Sequence, residues 1–251
     1  MRDNTGRLWG KFGNGEFEVR SLTKADLEEA LQVLDKSFYL NESVCIACEI
    51  NQPENAQARN ELTELCRITA DDGVSLVAKH VPTGQIVGVS FNKIQYIPPN
   101  GQEPFFIKFR NERAHSPQAQ RLMDFMIDVD SETDVFELYK IDTLLELMFL
   151  GTLPEWGRRG VATELCRHTI QLARELSAGI GVEEMHPQLR AMRPKAVTAI
   201  FTSMFSQKAG RKQGFKVINI VPYNRFSYNG KTFDQSISPM HKTSEHVVYL
   251  L

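Results

Sequence analysis

From Phe17 the chain alternates apolar and polar positions through "FEVRSLT", which predicts a strand. Leu27, Leu31, Leu34 and Phe38 then recur at helical spacing within "KADLEEALQVLDKSF", with Ser21 or Thr23 available as a cap, so a helix follows. A second helix is expected after Pro53, from Glu54 to about Thr69. "VSLVAKHV" and "QIVGVSFNKIQY" predict paired strands turned by Pro82, Thr83 and Gly84. The stretch Pro98 to Arg113 has no period and is expected to be irregular. Ser116-Pro117 has the chemistry of a helix start, and Leu122, Phe125 and Met126 form one apolar face beyond it. "LLELMFLGTL" is a continuous apolar run suited to a central strand. A helix from about Gly160 to Leu176 buries Val161, Leu165, Leu172 and Leu176. "AVTAIFT" reads as a short strand, a helix runs from about Ser203 to Gln213, and "FKVINIVPY" and "EHVVYLL" close the chain as strands.

No repeat, low-complexity tract or linker divides this pattern. One α+β domain over residues 1–251, with a mixed central sheet flanked by helices, is therefore expected. Residues 1–15, rich in Gly and Asn, are expected to be loosely held.

Composition narrows the function. With 42% hydrophobic and 24% charged residues among 251, a soluble chain of this length builds its core without staples. A net charge of -2 gives no basic field, so a nucleic-acid partner is not expected. Cys45 and Cys48 form a C-x-x-C, but no second close pair or His pair accompanies them, so no metal is expected. Four cysteines among apolar neighbours read as free thiols in a reducing compartment. Met1 to Gly10 has no apolar signal region, and no run approaches the ~20 apolar residues of a membrane span. A cytoplasmic protein without a membrane partner, monomeric or weakly dimeric, is the expectation.

The loudest chemical signal is "EWGRRGVATEL", residues 155–165, where a central strand meets a helix N-terminus. Unpaired N–H groups and the helix dipole make such a start an anion site. Gly160 lets backbone approach a ligand, and Gly157 is free to take a positive φ. The alternative is a tight turn and nothing more. A G-x-x-x-x-G-K-[ST] loop is absent, as is a G-x-G-x-x-G after the first strand, so an NTPase or dinucleotide enzyme is not indicated.

"LGTLPEWGRRGVATELCRH" resembles the strand-loop-helix that holds the coenzyme A pyrophosphate in the GNAT superfamily of N-acetyltransferases. Gly160 and Ala162 fall on the last two defined positions of the family pattern; Gly157 stands where Arg or Gln is usual, with Arg158 next to it. "SFYLNESV" resembles a segment of the insect arylalkylamine and polyamine N-acetyltransferase branch, Glu42 matching its acid and Ser43 replacing the usual proline. "TSMFSQKAGRKQGFKV" and "YNRFSYNGKTF", followed by His241, resemble its later segments. The resemblance covers nearly the whole chain. It implies a single GNAT-like domain with splayed central strands, acetyl-CoA as cosubstrate, and a small primary amine as acceptor: an arylalkylamine, a polyamine or an agmatine-like compound.

Acetylating an amine whose pKa is about 10 at neutral pH needs a base, and Glu42 is the first candidate, directly or through water. The resemblance implies that Leu150 and Thr152 line the acetyl-pantetheine channel and that the backbone from Arg158 through Arg159, Gly160, Val161, Ala162 and Thr163 holds the pyrophosphate. Gly210 stands where many members place a leaving-group tyrosine; Ser203 and Ser206 are the substitutes, although Ser203 also suits an N-cap. Lys208, Arg211 and Lys212 share a helix face and either meet the adenosine phosphates or form a solvated stripe. Phe38, Tyr39, Phe105, Phe106 and Met148 are candidates for the amine pocket. Acetylation of protein lysines or N-termini, and an acyl-CoA-binding module without catalysis, are the rival readings.

Overall fold

A computed structural model describes residues 6–99 and 102–251. Strands β1 (Leu8–Phe12) and β2 (Phe17–Ser21) lead into helices α1 (Leu27–Asn41), α2 (Ser43–Ala47) and α3 (Ala56–Ala70). Strands β3 (Leu76–His80) and β4 (Ile86–Tyr96) are followed by α4 (Phe105–Glu112), α5 (Pro117–Ser131) and α6 (Val135–Tyr139). Then come β5 (Thr143–Thr152), α7 (Val161–Ser177), β6 (Ala196–Phe201), α8 (Met204–Lys212) and β7 (Lys216–Pro222). A small hairpin of β8 (Ser227–Tyr228) and β9 (Lys231–Thr232), helix α9 (Phe233–Ser236) and β10 (Thr243–Leu250) complete the order.

The main sheet runs β1-β2-β3-β4-β5-β6-β10-β7. Only β5 and β6 are parallel, and they pair over just Leu145↔Val197 and Glu146↔Thr198 before parting. The other strand pairs in the sheet are antiparallel. One face packs on α1, α3 and α5 through Val89, Phe91 and Phe149; the other packs on α7 through Val87, Leu145 and Leu147. The expected mixed α+β sheet with splayed central strands is therefore present.

Three differences have physical causes. The first strand lies within the segment expected to be loose: Phe12 stacks on Phe17 at 5.0 Å and the Trp9 indole donates to Ser21 Oγ at 2.9 Å, which ties it to β2. Residues 1–5 of that segment lie outside the described residues. The stretch expected to be irregular contains α4, which buries only Phe109 and so shows little period. In β5, Phe91↔Phe149 and Asn92↔Leu147 leave Met148 as an extra residue. This β-bulge reverses the alternation, so Met148 and Phe149 both face the α1–α3 side while Leu150 packs towards α7.

Beside the split, Glu146 is buried with Gln95 Nε2 donating to it at 2.7 Å, and His246 Nε2 lies 3.7 Å from Asp130 Oδ1. Burial, helped by the charge of Asp130, pushes the Glu146 carboxyl up to about 8. Burial pushes the His246 imidazole down to about 4. Folding thus favours protonated Glu146, a contribution complete below the ordinary carboxylate range and lost as pH rises through about 8. Folding also favours neutral His246, a contribution present above the ordinary imidazole range and lost as pH falls through about 4. Burial also pushes the neighbouring Asp130 carboxyl up to about 6, so the stability held by this carboxyl pair falls as pH rises from about 6 through about 8. The melting temperature is expected to fall across that window, and Glu146→Gln to flatten the fall; an unchanged slope in the variant would contradict this assignment.

Candidate active site

A cleft of about 280 Å³ opens where β5 and β6 separate. Its lining includes the apolar Phe38, Leu65, Phe106, Leu122, Met123, Met126 and Met148 and the polar Glu42, Thr202, Ser203, Ser206 and His241. Beyond the last β5–β6 pair, the strand edges facing the gap have no cross-strand partner between them, and Leu147 to Thr152 line the cleft consecutively. Backbone N–H groups left open there are the donors that an oxyanion needs.

Glu42 ends α1 and caps α2: its two carboxylate oxygens accept from Val44 N–H at 2.9 Å and Cys45 N–H at 2.7 Å. A carboxylate has about four acceptor positions, so these bonds fix its orientation and leave capacity for an ammonium group. Among the described residues it is the one carboxylate that lines the cleft.

Ser203 is the N-cap of α8, as its position suggested, and Ser206 completes a reciprocal capping box. Ser206 N–H donates to Ser203 Oγ at 3.1 Å, and the two hydroxyls lie 3.1 Å apart. Ser206 therefore has a cap role that its sequence position did not announce. The absence of a tyrosine at Gly210 has a steric cause, because a Cβ there would lie 2.1 Å from the Phe201 ring.

His241 was not singled out from the sequence as a candidate group. Its Nδ1 accepts from Met204 N–H at 3.2 Å, which places the neutral ring's proton on Nε2. Burial lowers its pKa, opposed by the charge of Glu42. Its distance in sequence from Glu42 and Ser203 hid it.

On the coenzyme side, Gly160 is the N-cap of α7 with φ 87°. The first helical bond is Glu164 N–H to Gly160 O at 3.0 Å, so the N–H groups of Val161, Ala162 and Thr163 open outward. A Cβ on Gly160 would meet nothing within 4 Å, which leaves room for a ligand at this helix start. Gly88 is needed beneath it: a Cβ there would lie 2.4 Å from Val161 Cγ1. Thr152 pairs with Gly88, so its side chain shares that α7-facing side, and its buried Oγ1 has no partner. Open helix N–H groups, space at Gly160 and an orphan hydroxyl fit the expected coenzyme A.

Several expectations need correction. Positive φ falls on Arg158 (φ 63°) as well as on Gly160, whereas Gly157 has φ -61°. Arg159 is engaged by Glu16, with both carboxylate oxygens at 2.7 Å, and lies over the Phe17 and Trp156 rings. Arg211 is paired with the buried Glu245, while Lys208 and Lys212 on the same helix are exposed. Tyr39 is outside the cleft: it is 1% exposed, and its hydroxyl lies 3.4 Å from Cys66 Sγ. Phe105 packs under Lys93 Nζ at 4.5 Å, and only its neighbour Phe106 reaches the cleft. Among the described residues no cluster of three His, Cys, Asp or Glu side chains could hold a metal, and no helix is long and apolar enough to cross a membrane.

No protein-family model matches the chain, and no curated protein is matched by it. Solved structures do match. Arylalkylamine N-acetyltransferase 2 from Aedes aegypti is 17% identical, with a TM-score of 0.75 over 93% of this chain and 98% of that one. The putative arylalkylamine N-acetyltransferase 7 of the same mosquito is 20% identical, with a TM-score of 0.72 over 97% and 94%. Drosophila melanogaster polyamine N-acetyltransferase is 18% identical, with a TM-score of 0.71 over 94% and 100%. The likeness falls on the branch that the sequence motifs resemble, and the chain has the GNAT fold of these N-acetyltransferases.

Proposed function

We propose that the protein is an acetyl-CoA-dependent N-acetyltransferase for small primary amines, acting by direct transfer in a ternary complex. The observation that carries this reading is the meeting, in one cleft, of a backbone-fixed carboxylate with the opening between β5 and β6. Acetyl-CoA would supply the activated thioester; the N–H groups of Val161, Ala162 and Thr163 would hold its phosphates, and Thr152 would face its arm. Glu42 binds the cationic amine and takes its proton. Open N–H groups of β5 stabilise the negative charge that develops on the carbonyl oxygen. Ser206 Oγ donates to Ser203 O at 3.0 Å, so the hydroxyl with a proton to offer the leaving sulfur is that of Ser203, which accepts from Ser206 N–H. The cytoplasm, with four buried free thiols, is the setting that fits, and the chain acts as a monomer or weak dimer without nucleic acid or membrane.

The lining favours one amine class. Beside Glu42 the lining is largely apolar, with Leu65, Leu122, Met123 and Met126, and among the described residues it holds no second carboxylate. A second cation on a polyamine or an agmatine-like substrate would be desolvated there without a partner. An arylalkylamine puts its ring on that lining and its amine at Glu42. With acetyl-CoA, 2-phenylethylamine is therefore expected to exceed putrescine and agmatine by ~10²-fold or more in kcat/KM. Preference for the diamines would reverse the substrate assignment, and turnover of peptides alone would favour a protein acetyltransferase.

A further inference from the structure

The loop that presents the start of α7 is held by side chains rather than by its own backbone. Trp156 N–H donates to Leu153 O at 2.9 Å and Gly157 N–H to Pro154 O at 3.1 Å. Beyond them, no backbone N–H of residues 158–163 has a backbone partner among the described residues, until Glu164 N–H donates to Gly160 O at 3.0 Å. Two residues of this run have positive φ, Arg158 at 63° and Gly160 at 87°. Arg158 carries a Cβ, so its left-handed conformation is strained and persists only where the surroundings hold it.

The holding contacts lie at the β1–β2 turn. Arg159 Nη2 donates to both carboxylate oxygens of Glu16 at 2.7 Å. The guanidinium carbon lies 5.0 Å from the Phe17 ring centroid and 5.2 Å from that of Trp156. Trp156 in turn meets Phe17 edge-on at 5.5 Å and His80 at 4.5 Å. Glu16 is fixed as well: its N–H donates to Gly13 O at 3.1 Å and its carbonyl accepts from Val81 N–H at 2.8 Å. His80 Nε2 lies 3.5 Å from the same carboxylate. An isolated ion pair at a surface contributes little. This pair is charge-assisted, lies over two rings and joins a residue whose backbone is already fixed, so it loses less freedom on forming. The charge of Arg159 is thereby directed to Glu16 and not to the open side of the loop.

We propose that Glu16 and Arg159 are positioning residues, a clasp that holds the Trp156–Gly160 loop on the β1–β2 turn and keeps the first N–H groups of α7 aimed at the coenzyme phosphates. The ligand rests on the acetyl-CoA reading; the clasp itself does not.

Glu16→Gln removes the charge and keeps the size of the side chain. In calorimetric titration it is expected to raise the Kd for coenzyme A about tenfold. Arg159→Gln is expected to do the same, and the double variant to stay within about twofold of either single one, because both break one contact. In amine acetylation KM for acetyl-CoA is expected to rise while kcat stays within about twofold of wild type. Hydrogen exchange at Glu164 N–H, the first bond of α7, is expected to quicken in both variants with little change in melting temperature.

An Arg159 that gripped a phosphate directly would give the opposite sign for Glu16: Glu16→Gln would free the guanidinium and lower the Kd. That result would overturn the proposal, as would a Kd within about twofold of wild type in Glu16→Gln. Wild-type protein that binds no coenzyme A would count against the acetyl-CoA reading. Exchange at Glu164 would then still decide the clasp, faster exchange in Glu16→Gln supporting it and unchanged exchange overturning it.

Discussion

Glu42→Gln is expected to lower kcat/KM for the amine by ~10²-fold or more while leaving acetyl-CoA affinity nearly unchanged. Glutamine is the informative replacement because its amide oxygen still accepts one of the two N–H bonds that Glu42 makes to Val44 and Cys45. Alanine would remove the whole cap of α2, a loss of about 1 kcal/mol that mixes stability with catalysis. The variant loses both the base and the negative charge that draws the ammonium into an apolar cleft, so KM rises and kcat falls together. A variant with the wild-type pH–rate profile would remove Glu42 from its assigned role, and the remaining function would be that of a helix cap.

Gly160→Val is expected to raise the acetyl-CoA Kd by ~10²-fold or more, a loss of about 3 kcal/mol. Two effects act together. At φ 87° a β-branched residue is strained by about 1–3 kcal/mol, so the loop leaves the conformation that aims its N–H groups outward. Its side chain also points into the open space where no protein atom lies within 4 Å. That second observation is why the fold should survive: no neighbour is displaced, and the glycine is exposed. Gly160→Ala separates the effects by keeping most of the backbone strain with little bulk. Calorimetric titration with acetyl-CoA, beside a melting curve, checks both expectations. Unchanged affinity in the valine variant would make "WGRRG" a turn and nothing more.

Much of this was legible in the sequence because period and cap chemistry act locally. "LLELMFLGT" is the split-flanking strand, Ser116-Pro117 does open α5, and Ser203 does cap α8. Other features depend on pairings that no local pattern records. The bulge at Met148 arises from its register against β4, and the acid that holds Arg159 lies 143 residues away. Phe38 and Tyr39 are neighbours in sequence but not on the helix surface. Adjacent helical residues point about 100° apart, so Phe38 reaches the cleft and Tyr39 enters the core. The positive φ fell on Arg158 and not on Gly157, although glycine is the residue suited to it. His241 follows a segment that resembles the branch, but nothing local gave it a role; the return of the chain after β7 and into β10 brings it to the site.

The central claim is that this cleft moves an acetyl group from coenzyme A to an amine. The most direct measurement incubates the protein with acetyl-CoA and 2-phenylethylamine and quantifies N-acetyl amine and free coenzyme A together, while both substrates are varied. Equal amounts of the two products, with intersecting initial-rate lines, are the predicted result. Coenzyme bound without thiol release would contradict the claim, as would parallel lines from an acetylated enzyme.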